Sequence, residues 1–207
     1  MSNNTKENIL FAARDEFMAK GFLDASLRTI AREAGVTVSN IYRHYKHKNN
    51  LFEAVLKPLL DELEQILIEH NSEQQMELYY DEQSEYYQVN KDKFIDLISN
   101  YRAELKLLLT QSAGSSFENY AEKLLDSQVA VGQEYLKKYQ EKFPNVNVRN
   151  VSPLFMRICS SWWLIMLKEM SSNDLISLQE MEQCISEYMI FGMAGWNAFM
   201  NNPKIIK

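Results

Sequence analysis

Four polar side chains lie close together near the N-terminus: Ser39, Asn40, Arg43 and His44. They offer hydrogen-bond donors and acceptors, and such groups have little reason to be buried in an apolar core. An arginine can pair with guanine, and an asparagine with adenine, through two hydrogen bonds each; one such contact contributes about 1–3 kcal/mol of discrimination between bases. The chemistry available to this set is therefore hydrogen bonding to the edges of bases in a duplex.

The other reactive side chains are too scattered to predict a catalytic or metal site. Cys159 and Cys184 lie in apolar helical patterns without a CxxC motif, far in sequence from His44, His47 and His70. We therefore predict that both cysteines are buried packing thiols and that there is no zinc site. No GxSxG, P-loop, GxGxxG or HExxH pattern is present to organise catalysis or phosphate binding. We predict that the protein is not an enzyme and carries no cofactor.

The composition predicts an all-α fold. Hydrophobic residues make up 46% of the 207 residues, enough for a sizeable core, whereas six Gly and four Pro are too few for the turns of an all-β protein. The chain does not start with a basic segment followed by an apolar run, and its most apolar stretch, residues 158–167, is too short to span a bilayer. We expect a soluble cytoplasmic protein with no membrane contact.

Three short helices are predicted around the polar set. Residues 5–20 repeat apolar side chains at helical spacing, and Gly21 suits the left-handed end of that helix. A second helix follows, with Ser26 as its cap and Gly35 at its end. The third helix is short, is capped by Thr37, and carries the polar set on one side.

Residues 27–45 supply each part that a helix-turn-helix requires. Ala31 and Ala34 allow two helices to approach closely, Gly35 forms the turn between them, and Ile41 fills the joint. The second helix of such a motif enters the major groove of DNA. The position of the polar set on that helix therefore favours DNA recognition.

The net charge is distributed unevenly along the chain. It is −6 overall, but residues 1–58 hold nine Lys or Arg against six Asp or Glu, a net charge of +3 that leaves −9 for the remainder. A basic excess at one end is expected when only that end meets phosphate.

Long helices are predicted in the remainder of the chain. Pro58 should kink the first of them. Residues 72–90 are acidic and rich in tyrosine, and a mobile loop and an irregular helix both stay open there. Ser152 and Pro153 are suited to a helix start, with proline in the first position. The predicted helices are 49–70, 91–111, 117–143, 153–171 and 177–200.

Residues 26–51, SLRTIAREAGVTVSNIYRHYKHKNNL, resemble the signature of the TetR family of transcriptional regulators, and the likeness covers roughly residues 5–58. The resemblance implies a helix-turn-helix DNA-binding domain at 1–48. It also implies a larger helical domain at 49–207 that binds a small-molecule effector and dimerises.

By position, the resemblance implies base-edge contacts for Val38, Ser39, Asn40 and Arg43, and phosphate contacts for Tyr42, His44 and Lys48. Many family members have glycine where Ser39 stands, which lets the DNA backbone come close, so the approach to DNA at this position is left open. The full predicted DNA-binding set is Arg28, Thr29, Thr37, Val38, Ser39, Asn40, Tyr42, Arg43, His44 and Lys48.

The last two predicted helices are too apolar to face water. Pairing with a second copy would form a four-helix bundle and place two recognition helices about one DNA turn apart. A monomer core is the alternative. The predicted dimer interface comprises Leu154, Ile158, Ile185, Tyr188, Gly192, Gly195 and Phe199.

Aromatic, leucine and methionine side chains are candidates for an effector pocket, because such pockets combine apolar faces with adaptable thioethers. Residues of this kind at helical spacing are also typical of an ordinary core, and both readings stay open. The candidates are Tyr101, Leu105, Leu108, Phe117, Tyr120, Trp162, Trp163 and Met166.

Two functions follow as hypotheses. The first is a sequence-specific regulator of transcription, a repressor that an unknown small-molecule effector releases from its operator on double-stranded DNA. The second is a helical dimeric ligand-binding or interaction protein without DNA-binding activity. A measurement of DNA affinity at low salt separates the two.

Overall fold

The computed structural model describes residues 2–70, 85–142, 144 and 150–201. Within these ranges the chain forms eight α-helices and no strand, so the all-α prediction is confirmed. The helices are α1 (Ser2–Asp24), α2 (Leu27–Glu33), α3 (Val38–His44), α4 (Lys48–His70), α5 (Glu85–Thr110), α6 (Tyr120–Lys142), α7 (Pro153–Ser172) and α8 (Leu178–Asn201).

The chain divides into two compact units. Unit 1 comprises Met1–Glu62 and Tyr101–Ala121, and unit 2 comprises Leu63–Asn100 and Glu122–Lys207. Unit 1 therefore continues past residue 48 and takes in a second segment that is distant in sequence, because the end of α5 and the residues after it pack with the N-terminal helices. The assignment of DNA binding to 1–48 stays a prediction.

The helices of unit 1 start and end largely where local sequence signals place them. Gly21 interrupts α1 with φ 70° and ψ 175°: φ is positive as predicted, but ψ lies outside the left-handed helical region, and helical residues resume up to Asp24. Thr37 caps α3, and its hydroxyl oxygen accepts a hydrogen bond from the Asn40 amide at 3.3 Å. The predicted side-chain cap at Ser26 is wrong: Ser26 precedes α2, but its hydroxyl makes no cap bond. Its amide donates instead to the Glu16 carboxylate at 3.0 Å.

Aromatic rings form the centre of unit 1. Phe52 contacts both Phe17 and Phe22 edge to face, with ring centroids 4.9 Å apart in each case. Phe117 joins from the second segment, 6.1 Å from Phe52. Such pairs contribute about 0.5–1.5 kcal/mol each beyond the burial of their area. The cluster thus fastens α1 and α4 to a segment far along the chain.

Hydrogen bonds also join the second segment of unit 1 to its N-terminal helices. The Phe22 amide donates to the carbonyl oxygen of Gln111 at 2.9 Å. The side-chain oxygen of Asn49 accepts from the Ser116 amide at 2.8 Å, and its side-chain nitrogen donates to the Ser116 hydroxyl at 3.0 Å. Residues 113–116, where the sequence predicted a break in the helix, therefore form a turn that is hydrogen-bonded to α4 through Ser116.

A half-buried ion pair connects α1 to α5 inside unit 1. The Nε of Arg14 donates to Oε1 of Glu104 at 2.6 Å, and the Glu104 side chain is only 10% exposed. Oε2 of Glu104 is buried and has no hydrogen-bond partner among the described residues. The carboxylate therefore depends on Arg14 for its charge compensation.

Unit 2 contains the long C-terminal helices, the end of α4 and the start of α5. Ser152 caps α7 through a 3.2 Å hydrogen bond from the Phe155 amide, and Pro153 takes the first position, as predicted. Arg157 on α7 is paired with Glu122 and Asp126 on α6. The buried core includes Leu97, Ile98, Leu125, Met156, Leu164, Leu167, Met170, Met181 and Ile185.

The two cysteines of unit 2 are less buried than the sequence predicted. Cys159 is half-buried, but the prediction of a buried Cys184 is wrong, because Cys184 lies on the exposed side of α8 near Glu187. The exposed residues around Cys184 include Glu182, Gln183 and Glu187, so the apolar pattern of α8 as a whole was a poor guide to the burial of this cysteine. Of the predicted irregular stretch at 72–90, residues 85–90 belong to α5 and the rest lie outside the described residues.

Candidate nucleic-acid interface

The turn between α2 and α3 is built from glycine geometry and backbone hydrogen bonds. Gly35 has φ 66°, a left-handed conformation that favours glycine. Its amide donates to the carbonyl of Arg32 at 3.1 Å, and the next amide, of Val36, donates to Ala31 at 2.9 Å. These bonds end α2 and redirect the chain, so that Thr37 can begin α3.

Helix α3 has one covered and one open side. Ile41 is 1% exposed and Tyr45, directly after the helix, is also buried, so both fix α3 to the rest of unit 1. On the other side Ser39, Arg43 and His44 are exposed, and Tyr42 is 51% exposed despite its large ring. A seven-residue helix thus presents polar and aromatic groups outward while two apolar anchors hold it.

The open side of α3 has capacity for an external partner. Within the described part of the chain, Ser39, Tyr42 and Arg43 make no hydrogen bond or ion pair. Asn40 and Val38 are half-buried at the same edge. A cluster that includes an unpaired guanidinium and an exposed phenol beside it can bind bases or phosphates without first breaking an internal contact.

Further basic and hydroxyl side chains lie in α2 and in the links on either side of α3. Arg28 at the start of α2 is exposed, Thr29 is half-buried, and Thr37 is exposed at the turn. Lys46 and His47, which the predicted set omits, are exposed in the link between α3 and α4. Their local signal was a run of basic residues, which is equally typical of a solvated turn.

Lys48 differs from the other predicted DNA-binding residues because its ammonium already has partners inside unit 1. Nζ donates to the carbonyl oxygens of Leu23 at 3.0 Å and Ala25 at 2.8 Å. It also lies 4.7 Å from the centre of the Phe22 ring. Burial lowers the pKa of Lys48 below its usual value, although the charges of Asp24 and Glu16 act in the opposite direction.

The predicted effector residues fall in both compact units. Leu105 and Leu108 are 1% exposed in the core of unit 1, and Phe117 packs on Phe52 there. Tyr101 interrupts α5 with non-helical angles, φ −125° and ψ 24°. Unit 1 also holds Tyr120, and unit 2 holds Trp162, Trp163 and Met166.

The predicted dimer residues lie along α7 and α8 in unit 2. Leu154, Ile158 and Gly195 are exposed, Tyr188, Gly192 and Phe199 are half-buried, and Ile185 is fully buried within the unit. A Cβ atom on Gly192 or Gly195 would meet nothing within 4 Å. Burial raises the pKa of Tyr188 to about 12, and the neighbouring Cys159 adds to the shift.

Large apolar side chains beyond the predicted set are exposed on the same two helices. Leu154 and Phe191 are 68% and 64% exposed, and the rings of Trp162 and Phe191 lie 5.9 Å apart. Phe155 and Phe199 form a second ring pair at 5.1 Å. Trp162, predicted for the effector pocket, is thus placed on the exposed face instead of in the core of unit 2.

Neither a metal cluster nor a membrane helix is found in the parts of the chain that the structure describes. There, no group of three or more His, Cys, Asp or Glu residues is arranged to hold a metal ion. Likewise, none of the described helices combines the length and apolar character needed to span a bilayer.

Residues 9–55 match the model of the bacterial regulatory proteins of the tetR family. The chain is also 42% identical over 55 residues to the HTH-type transcriptional regulator SrpR of Pseudomonas putida, a match that covers 27% of this chain and 26% of SrpR. The chain therefore spans about a quarter of that relative's length.

Solved structures extend the likeness in fold to nearly the whole chain. NalD of Pseudomonas aeruginosa, the secondary repressor of the MexAB-OprM multidrug efflux pump, superposes with a TM-score of 0.58 at 23% identity, covering 92% of this chain and 96% of NalD. A TetR-like transcriptional regulator from Rhodococcus sp. RHA1 gives a TM-score of 0.59 at 16% identity, with 92% and 96% covered. The fold of this chain is thus similar to that of these two proteins.

Proposed function

We propose, from the match of residues 9–55 to the model of the bacterial tetR regulatory proteins, that this chain is a sequence-specific DNA-binding regulator of transcription. The observation that carries the proposal is the open side of α3. There Tyr42 and Arg43 are exposed and have no hydrogen bond or ion pair with any described residue, on a helix that the buried Ile41 holds in a helix-turn-helix.

Individual roles on this surface follow from chemistry and position. Arg43 and Asn40 read base edges, with Val38 and Ser39 beside them at the start of α3. Tyr42 and His44 contact phosphates, as do Arg28, Thr29 and Thr37 at the ends of α2 and α3. Phosphate contacts set the register on the duplex, and the base contacts provide discrimination.

The active form is a homodimer, joined through α7 and α8. The support is the exposed apolar face of these helices, which includes Leu154, Ile158 and Phe191 and would cost free energy if it faced water. Open space at Gly192 and Gly195 leaves room for a partner helix at close range. A twofold pair would present two copies of α3 to successive major grooves.

In the cell we propose that the protein acts as a repressor that a small molecule releases from DNA. NalD, whose fold this chain shares, is a repressor by its description. The effector would bind a state of the protein in which the two α3 helices no longer fit the operator, and it would shift the population toward that state.

Fluorescence anisotropy with a labelled duplex from the DNA upstream of the chain's own gene tests DNA binding. We expect saturable binding by the wild type that weakens steeply with salt. Arg43→Ala should weaken binding to this duplex at least tenfold, in line with the loss of one good base contact. Lys123→Ala is the matched control, because it removes one exposed positive charge from α6 in unit 2 and should leave the affinity unchanged.

Two results would contradict the proposal. One is the absence of binding by the wild type to any duplex at low salt. The other is equal affinity for the wild type and the double variant Tyr42→Ala with Arg43→Ala. A stable dimer that binds a small molecule but no DNA would favour the alternative of a ligand-binding or interaction protein.

A further inference from the structure

Lys48 ties together two places in the chain that flank the helix-turn-helix. It is the first residue of α4, and its ammonium donates to Leu23 at 3.0 Å and to Ala25 at 2.8 Å, at the link between α1 and α2. We call this arrangement the Lys48 clasp. The segment 26–47, which contains both α2 and α3, begins directly after one end of the clasp and stops directly before the other.

The surroundings of the ammonium explain why it stays there. A lysine at the first position of its own helix lies at the positive end of the helix dipole, where a cation is unfavourable. The Leu23 carbonyl lies after the kink of α1 at Gly21, close to the end of that helix, and offers Nζ a hydrogen-bond acceptor at 3.0 Å. The face of Phe22 at 4.7 Å adds a favourable cation–π contact.

Breaking the clasp would remove a hydrogen bond from a carbonyl oxygen at a buried residue. Ala25 is 6% exposed, and its carbonyl oxygen accepts the Lys48 bond at 2.8 Å. A phosphate contact would require Nζ to turn outward, away from acceptors that it already has. Arg43 and Lys46 are exposed and have no hydrogen bond or ion pair with any described residue, so a phosphate contact carries no such cost for them.

We infer that Lys48 is a positioning residue for DNA recognition: it fixes α2 and α3 by closing the ends of the helix-turn-helix, and it is not itself a ligand of phosphate. This inference rests on the proposed DNA-binding function. It differs from the phosphate contact that the family resemblance implies for this position. Lys48 acts through Leu23 and Ala25, which set where α2 starts.

Amine acetylation of the wild-type protein, followed by mass spectrometry, tests the clasp without reference to DNA. Lys46 is the matched control because it is exposed, lies two residues away, and belongs to the same unit. We expect Lys48 to react at least tenfold more slowly than Lys46 in the free protein, and to change little when the upstream duplex is added. Equal rates in the free protein, or a fast rate that DNA suppresses, would overturn the inference.

Lys48→Met and Lys46→Gln test the positioning role, because each removes one positive charge and Met keeps the aliphatic stem of lysine. Affinity for the upstream duplex and for a scrambled duplex is measured across a salt series, at a temperature where circular dichroism shows the variants folded. For Lys48→Met we expect at least a tenfold loss on the upstream duplex, an unchanged affinity for the scrambled duplex, and an unchanged dependence of log affinity on log salt.

The other outcomes each overturn the positioning role. A salt slope that falls by roughly 0.9, with loss on both duplexes, would identify Lys48 as a phosphate ligand. Unchanged affinity for the upstream duplex would make the clasp purely structural, even if the melting temperature fell. If Lys48→Met does not fold, the acetylation rates decide. If the wild type binds neither duplex, the proposed function fails, and the slow reaction of Lys48 still tests the clasp.

Discussion

The carbonyl oxygen of Gln111 lies 3.2 Å from the place where Gly21 would carry a Cβ atom. The same oxygen accepts the hydrogen bond from the Phe22 amide at 2.9 Å. Gly21 has φ 70° and ψ 175°, a combination that residues with a side chain strongly avoid. Only glycine therefore lets the end of α1 approach the end of α5 so closely.

Gly21→Ala should lower the free energy of unfolding by about 2–4 kcal/mol, because backbone strain and the contact with Gln111 add together. Urea titration followed by circular dichroism measures the change. Gly35→Ala is the control: its φ is also positive, at 66°, but a Cβ there meets nothing within 4 Å. It should lose about 1 kcal/mol from strain alone. Equal losses would contradict the steric explanation.

Arg14→Met should destabilise unit 1 by about 1–3 kcal/mol, because it leaves the buried Glu104 carboxylate without a cation. The expected loss is below that of a fully buried pair, since the Arg14 side chain is 42% exposed. Adding Glu104→Gln to Arg14→Met should recover part of the loss by removing the charge. If the double variant loses as much free energy of unfolding as Arg14→Met and Glu104→Gln lose separately when added together, the two residues are not coupled.

Tyr45→Phe should leave stability unchanged or raise it by about 1 kcal/mol. The hydroxyl of Tyr45 is buried and has no hydrogen-bond partner among the described residues, and burial raises the pKa of this phenol. Tyr42→Phe is the comparison, because the Tyr42 ring is exposed and its hydroxyl is open to water. Thermal unfolding compares the two. A clear loss of stability in Tyr45→Phe would show that the hydroxyl has a partner in solution.

Stability should fall at alkaline pH because of Tyr188. Its pKa is raised to about 12 in the folded protein by burial, against roughly 10 in an unfolded chain. The raised pKa contributes stability that is fully present below pH about 10 and is lost as the pH rises toward about 12, on the order of 2 kcal/mol. Urea titrations at pH 8, 10 and 11 should show a smaller decline for Tyr188→Phe than for the wild type. Parallel declines would contradict this assignment.

Gly192→Ala should weaken dimerisation at least tenfold while leaving the isolated subunit unharmed. Alanine is favoured over glycine within a helix by about 1 kcal/mol, and its Cβ meets nothing in the subunit within 4 Å. A partner helix at close range would meet that methyl group. Sedimentation across a dilution series gives the dissociation constant. An unchanged constant would place the interface elsewhere on the protein.

Local signals in the sequence were sufficient to predict most helix ends and the open side of α3. Thr37 and Ser152 precede their helices in a suitable context, and each caps as expected because only neighbouring residues are involved. The alternation of Ile41 and Tyr45 with polar residues likewise shows directly which side of α3 is covered. The helix caps and the covered side of α3 depend on residues only a few positions apart, so the local sequence pattern was enough to predict them.

Contacts between distant residues could not be predicted in this way. The Ser26 amide bonds to Glu16, ten positions earlier, so the local cap signal at Ser26 was misleading. Asn49 and Ser116 are 67 residues apart, and nothing in either segment indicates the other. For Lys48 the family resemblance implied a phosphate contact, and only the positions of two backbone carbonyls reveal its internal partners.

Because unit 1 is formed by two segments that are distant in sequence, it cannot finish folding early in synthesis on the ribosome. Chains generally fold as they emerge, N-terminal parts first. Yet α1 and α4 cannot complete their packing until Gln111 and Phe117 have left the exit tunnel, long after α3 has been made. A nascent or truncated chain that stops at residue 62 would lack this support. Hybrid regulators assembled from two relatives should therefore inherit residues 101–121 from the same parent as α1 to α3.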